Sequence, residues 1–219
     1  MIKLIVFDLD GTLLDTIYDL HEAMNYVLKK YNYRLITLDM AKQNIGTGIR
    51  NFIKKSINDE SNNNIDNMFN DFMDYYSKNY NNKTKLYDGI YDIVYNLKKD
   101  GYILGVISNK RYEILNNLVN DYFRDLFSFV IGDGSGFKKK PDNESILYII
   151  NRYNINKEEL LYIGDSDTDI ITINNSGCMG LIVSYGYRKY EELIKYNIKN
   201  ISKNTTELKE NIYNVLNNR

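Results

Sequence analysis

Asp8 and Asp10 stand one residue apart, directly after the apolar run Leu4-Ile5-Val6-Phe7 and directly before Gly11. In an extended chain, residues i and i+2 point the same way. The two carboxylates therefore lie together at the C-terminal end of a short strand, the rim where open α/β sheets bind ligands. Acids this close repel each other unless a proton or a cation separates them. An all-oxygen ligand set suits a hard ion such as Mg²⁺. The plainer reading of the same residues is an Asp-Gly turn after a strand.

Three later clusters carry comparable chemistry. Ile107-Ser108-Asn109-Lys110 closes an apolar run with a hydroxyl and an amide. These could hold a phosphoryl oxygen with help from the amides that open the next helix, or one of them could simply cap that helix. Lys138-Lys139-Lys140-Pro141 contains the only proline. Proline biases Lys140 toward extended geometry and is expected to open the following helix. A lysine so placed can reach inward and offset phosphoryl and carboxylate charge, leaving Lys138 and Lys139 to solvent. Gly164-Asp165-Ser166-Asp167-Thr168-Asp169 offers three alternating acids. An EF-hand is excluded because its sixth and twelfth positions, which need Gly and Glu, hold Ile170 and Ser176.

The elements that must position these residues follow from periodicity. Ile17, Leu20, Met24, Val27, Leu28 and Tyr31 mark one face of a helix, and helical patterns recur from Leu38, from Ile49 and around Met68 to Tyr80. Ser61-Asn62-Asn63-Asn64 reads as a loop, and Asn81 to Lys85 as a linker. No strand signal appears between Thr16 and Leu86, which predicts an all-helical insert over 16–85. Strands are expected at Ile103–Ile107, Phe127–Ile131, Leu160–Ile163 and Leu181–Val183, with helices between them and a closing helix over Leu208–Leu216. Alternating strands and helices imply βαβ units and a doubly wound parallel α/β sheet built from 1–15 and 86–219.

Composition narrows the function classes. The chain has 219 residues, is 43% hydrophobic and 26% charged, and carries a net charge of −1. That balance gives no electrostatic case for nucleic acid or an acidic membrane as partner. No stretch approaches a membrane span and none reads as a signal peptide, so a cytoplasmic location is expected. One cysteine and one histidine argue against a Cys/His zinc site, and no serine-centred motif lies near His21 for a Ser-His-Asp mechanism. Carboxylates remain as the acids and bases. Composition does not set an oligomeric state.

Phe7-Asp8-Leu9-Asp10-Gly11-Thr12-Leu13 resembles the first signature of the haloacid dehalogenase-like hydrolases, mostly Mg²⁺-dependent phosphatases with an aspartate nucleophile. The Ser108, Lys140-Pro141 and Gly164-Asp165-Ser166-x-x-Asp169 segments are similar to that family's second, third and fourth motifs, in the same order. Asn143 departs from the second proline often found there. The position of the insert matches the helical cap of the phosphoglycolate phosphatase-like branch, and Ser176-Gly177-Cys178-Met179-Gly180 resembles that branch's turn before the next strand. The resemblance implies that Asp8 attacks phosphorus and that Asp10 serves as acid and base. It implies that Ser108 and Lys140 hold phosphoryl oxygens with Asn109 beside them, and that Asp8, Asp165 and the Asp10 carbonyl bind Mg²⁺. Asp169 is a further ligand or acts through water or Lys140; Asp167 falls in a variable position. The loop Ile45-Gly46-Thr47-Gly48-Ile49-Arg50 resembles the branch's substrate-facing loop. Gly46 would allow close backbone approach, and Arg50 would bind a second anionic group or be an exposed helix charge. A small phosphorylated metabolite is the expected partner, phosphoglycolate or another small phosphate ester, with pyrophosphate open. A β-phosphoglucomutase-like enzyme, with His21 close to the position of that group's base, and a non-catalytic binding module are the rival readings.

Overall fold

A computed structural model describes residues 1–59, 62–198 and 200–217. Leu4–Phe7 (β1) is buried along its whole length, as a strand flanked on both sides and both faces must be. The chain then passes through Leu14–Asp15 (β2) into four helices, Ile17–Lys30 (α1), Leu38–Asn44 (α2), Ile49–Ile57 (α3) and Ile65–Asn79 (α4), and returns through Lys85–Leu86 (β3). There follow Ile90–Lys99 (α5), Ile103–Arg111 (β4), Tyr112–Phe123 (α6), Phe129–Asp133 (β5), Glu144–Tyr153 (α7), Leu160–Gly164 (β6), Asp167–Ser176 (α8), Met179–Val183 (β7), Tyr190–Leu193 (α9), Ile201–Ser202 (β8) and Thr205–Asn217 (α10).

Two compact units result: Met1–Leu14 with Leu86–Arg219, and Asp15–Lys85. The first is a six-stranded parallel sheet in the order β5-β4-β1-β6-β7-β8. The order reverses at β1, whose neighbours are β4 and β6, so the switch point where such sheets bind ligands falls beside β1. Phe7 is in register with Val106 and Ile163. The residues that follow on all three strands therefore emerge at one rim. Beneath them lies a core that includes Leu4, Val6, Ile146, Ile149, Leu160, Ile170 and Ile182.

The second unit is helical. Met68, Phe72 and Tyr76 on α4 are buried, as the helical spacing requires. Asp19, on α1 and only 1% exposed, accepts hydrogen bonds from the amides of Lys83 and Thr84 and from the Thr84 hydroxyl at 2.8–3.0 Å. Lys83 and Thr84 are thus fixed to the helices, and the stretch read as a linker is tethered at this point. Of the loop read at 61–64, Ser61 lies outside the described residues.

Several boundaries differ from expectation. β4 runs on to Arg111, with its register broken between Ile107 and Arg111. β5 begins two residues late because Phe127 turns inward to pack edge-on against Phe7 and Phe123. Pro141 does not open α7: the helix is capped at Asn143, and Pro141 sits in the preceding turn, closed by Asp142 N–H donating to the Lys139 carbonyl at 3.0 Å. The two-residue β8 is too short to leave a period in the sequence. Among the described residues, no helix is long and apolar enough to cross a membrane.

Candidate active site

Seven of the nine residues singled out from the sequence converge at the rim of the core unit. Asp8 follows β1 directly and is 7% exposed. Its amide donates to the Ile163 carbonyl at 2.9 Å, and its Oδ1 accepts the Leu9 amide at 2.7 Å. Gly11, at φ 81°, turns the chain back, a conformation that favours glycine. A methyl group there would lie 2.2 Å from Asp165 Oδ2, and one at Gly186 would meet both the Gly11 carbonyl and Asp165. The backbone is thereby packed against the acid from two sides.

The break in β4 re-aims Ser108, Asn109 and Lys110, as strand irregularities do, and all three are buried. Neither Ser108 nor Asn109 caps α6, whose N-cap is Arg111. The Ser108 hydroxyl donates to Asp8. The Asn109 side-chain amide donates to the Lys140 carbonyl at 2.9 Å, bracing the loop that carries Lys140. Lys140, with 3% of its side chain exposed, places Nζ 3.0 Å from Asp8 Oδ1 and 2.7 Å from Asp169 Oδ1.

Asp165 and Asp169 come from the end of β6 and the first turn of α8. Asp165 Oδ2 accepts the Tyr187 amide at 2.7 Å. Asp169 is fully buried. Its Oδ2 takes the amides of Asp165 and Ser166 and the Ser166 hydroxyl, while its Oδ1 takes Lys140 and the Tyr162 hydroxyl. Five donors more than fill the roughly four lone-pair sites of a carboxylate, which favours the role through Lys140 over direct metal ligation. Asp167, in the variable position, accepts a hydrogen bond from Arg188 Nε on its Oδ1 at 3.0 Å.

Electrostatics follow from burial and charge count. Burial raises the Asp8 carboxyl to about 7; Asp169 and Asp10 add to the rise, while Lys140 and Ser108 oppose it. Burial, then repulsion from Asp169 and Asp8, lifts Asp165 well above the ordinary range. Burial would also raise Asp169, but the charge and hydrogen bonds of Lys140 outweigh it and hold that acid low. Burial alone would lower Lys140; Asp169 and Asp8 outweigh it, and the ammonium is held above its ordinary value. Asp8, Asp10, Asp165 and Asp169 face two ammonium groups, Lys110 and Lys140. Fully ionised, the cluster is two negative charges in excess, which one divalent cation would balance. Carboxylate oxygens of Asp8, Asp165 and Asp169 lie within 4.8 Å of one another. An oxygen-lined, electron-rich site of this kind fits Mg²⁺.

Two residues that the sequence left without a role belong here. Lys110 Nζ donates to Asp10 Oδ1 at 2.9 Å, and the Tyr162 hydroxyl bonds Lys140 and Asp169. Lys110 sits in the Ser108-Asn109 motif, so its place was a signal. Tyr162 lies in an apolar run, where only its hydroxyl distinguishes it from core.

Gly46 and Arg50 lie in the helical unit. Gly46 and Gly48 have φ of 122° and 94°. Arg50 pairs with Asp66 and lies 4.3 Å over the Phe69 ring. His21 Nε2 is 2.8 Å from the Ile36 carbonyl and 2.9 Å from the Asn25 amide nitrogen, so that ring nitrogen is engaged within the helices.

A family model for haloacid dehalogenase-like hydrolases matches residues 5–183. The phosphoglycolate phosphatase of Aliivibrio fischeri is 28% identical over 200 residues, 88% of each chain. That of Psychrobacter arcticus is 29% identical over 204 residues, 89% of each. Among solved structures, a predicted phosphoglycolate phosphatase from Haemophilus somnus has a TM-score of 0.87 at 27% identity, covering 94% of this chain and 96% of that one. The matched span runs from β1 through β7 and takes in all four acid, hydroxyl and lysine motifs; the chain belongs to the haloacid dehalogenase-like hydrolases.

Proposed function

We propose that the protein is a phosphatase that hydrolyses a small, carboxylate-bearing phosphate monoester of the phosphoglycolate kind through an aspartyl phosphate. The observation that carries this reading is Asp8 at the sheet's switch point, its Oδ1 held 3.0 Å from the Lys140 ammonium. The names of the relatives point to the same ester class.

In the first step an Asp8 oxygen forms a bond to phosphorus and the bond to the ester oxygen breaks. Protonated Asp10 gives its proton to the departing alkoxide. In the second step Asp10, now a carboxylate, takes a proton from water as the water oxygen attacks phosphorus, releasing phosphate and restoring Asp8. Lys140 offsets charge on the phosphoryl oxygens, and Ser108 holds one of them. Such transfer depends on positioning and charge neutralisation more than on covalent chemistry by the protein. Asp8 and Asp165, with the Asp10 carbonyl as the family resemblance implies, would hold Mg²⁺, which supplies charge neutralisation at the phosphoryl group and keeps Asp8 ionised. The engagement of His21 Nε2 favours a hydrolase over a mutase.

The test is phosphate release from phosphoglycolate and from p-nitrophenyl phosphate, with Mg²⁺ and with EDTA. Turnover should require Mg²⁺, and Asp8→Asn should abolish it with the fold intact. Wild-type turnover in EDTA would remove the metal from the scheme, and near-normal turnover by Asp8→Asn would remove the covalent step.

A further inference from the structure

Tyr162 lies on β6, a strand buried at every position. Phenylalanine would meet the packing demand there, and a hydroxyl in such a place is costly unless it is bonded. The Tyr162 oxygen lies 3.0 Å from Lys140 Nζ, 3.0 Å from Asp169 Oδ1 and 3.4 Å from the Ile107 carbonyl. An ammonium has three N–H donors. Two of those of Lys140 go to Asp169 Oδ1 at 2.7 Å and to the Tyr162 oxygen, and the ammonium stands 3.0 Å from Asp8 Oδ1 as an ion pair. The phenol oxygen accepts from the lysine, and its own proton goes to Asp169. Lysine is a point charge on a flexible four-carbon stem, so these two fixed acceptors are what stop its head from turning beside Asp8.

We infer that Tyr162 is a positioning residue, whose hydroxyl completes the acceptor set of Lys140 and holds the ammonium against Asp8. The hydroxyl is shut off from solvent and touches no reacting atom; it acts through Lys140. The inference rests on the phosphatase reading for its kinetic consequence but not for its geometry.

The experiment is a double-mutant cycle of Tyr162→Phe and Lys140→Ala, read as kcat and KM for p-nitrophenyl phosphate and as thermal midpoint. Tyr162→Phe should lower kcat by about tenfold to a hundredfold, the range for a hydrogen bond to a charged group, with KM moved far less. In the Lys140→Ala background the same change should add nothing, because residues acting as a unit are not additive. Unchanged kcat in Tyr162→Phe, or independent losses that multiply, would overturn the inference. Should Tyr162→Phe not fold, the wild type answers through solvent exchange of the Tyr162 phenolic proton by NMR. Slow exchange that is lost in Lys140→Ala supports the inference; slow exchange that persists in Lys140→Ala, or exchange as fast as that of a surface tyrosine, overturns it. If the wild type hydrolyses no ester, the phosphatase reading falls, while proton exchange still decides the role of Tyr162.

Discussion

Lys110 Nζ stands 2.9 Å from Asp10 Oδ1, with only 4% of the lysine side chain exposed. The carboxylate assigned to proton transfer is therefore held from the neighbouring strand β4, by a buried cation that is not the one facing Asp8. The proposed nucleophile and the proposed acid–base group are each held by a lysine of their own.

Lys110→Met should therefore damage proton transfer selectively. An alkyl ester needs a proton on its leaving oxygen, whereas p-nitrophenolate leaves without one. General acid catalysis contributes roughly 10²–10⁴-fold, so loss of its positioning should lower kcat/KM at least about tenfold for an alkyl phosphate and far less for p-nitrophenyl phosphate. The check is kcat/KM across esters of rising leaving-group pKa. An unchanged slope would reduce Lys110 to packing.

Ion-free protein should show the charge excess in its pH dependence. Asp8 is raised to about 7 from an unfolded value near 3.8, chiefly by burial. Between those values the folded state binds more protons than the unfolded chain, so this group's contribution falls as pH rises. It is fully present below about pH 4 and lost through pH 7. In EDTA, the difference in thermal midpoint between wild type and Asp8→Asn should shift against the wild type across that window. Parallel curves for the two proteins would show that Asp8 is not raised.

Lys140→Met should destabilise the ion-free protein by about 3–5 kcal/mol at pH 8, the cost of breaking a buried ion pair. Two carboxylates lose their shared cation within a site that excludes water. Urea unfolding measures the loss, and a change below about 1 kcal/mol would mean that solvent reaches the cluster.

Arg50 is already engaged with Asp66 and Phe69. The pair is exposed, so its contribution to stability is about 1 kcal/mol or less. Arg50→Ala should change turnover of phosphoglycolate and of p-nitrophenyl phosphate alike, each by less than about threefold. A loss confined to phosphoglycolate would assign Arg50 to anion binding instead.

Much of this arrangement is legible in the sequence because strand ends announce themselves. An apolar run followed by Asp-x-Asp-Gly or Gly-Asp-Ser names both the strand and the acids beyond it, which is how Asp8, Asp10, Asp165 and Asp169 come to notice. The partners of those acids are harder to read. Lys110 is visible as a residue, but its target lies 100 positions away, and only the β1–β4 register brings them together. Tyr162 is hidden because an aromatic ring in an apolar run satisfies the pattern whether or not its hydroxyl has work to do. Asn109 reads as a cap by residue type; the interruption of β4, which no propensity reports, turns it to the Lys140 carbonyl instead.

The Asp19 carboxylate reaches across 64 and 65 positions of chain to Lys83 and Thr84. One side chain near the start of the helical unit thus fastens the unit's own end. A segment whose two ends are tied to each other asks little of the host strands beyond a place to enter and leave. Such a segment can be exchanged, lengthened or replaced while β1 and β4 keep their register. Helices from another member of the family, grafted between Leu14 and Leu86 with an equivalent acid-to-amide tie, would carry their own fastening and leave Asp8, Lys140 and Asp169 on the strands and turns that hold them now.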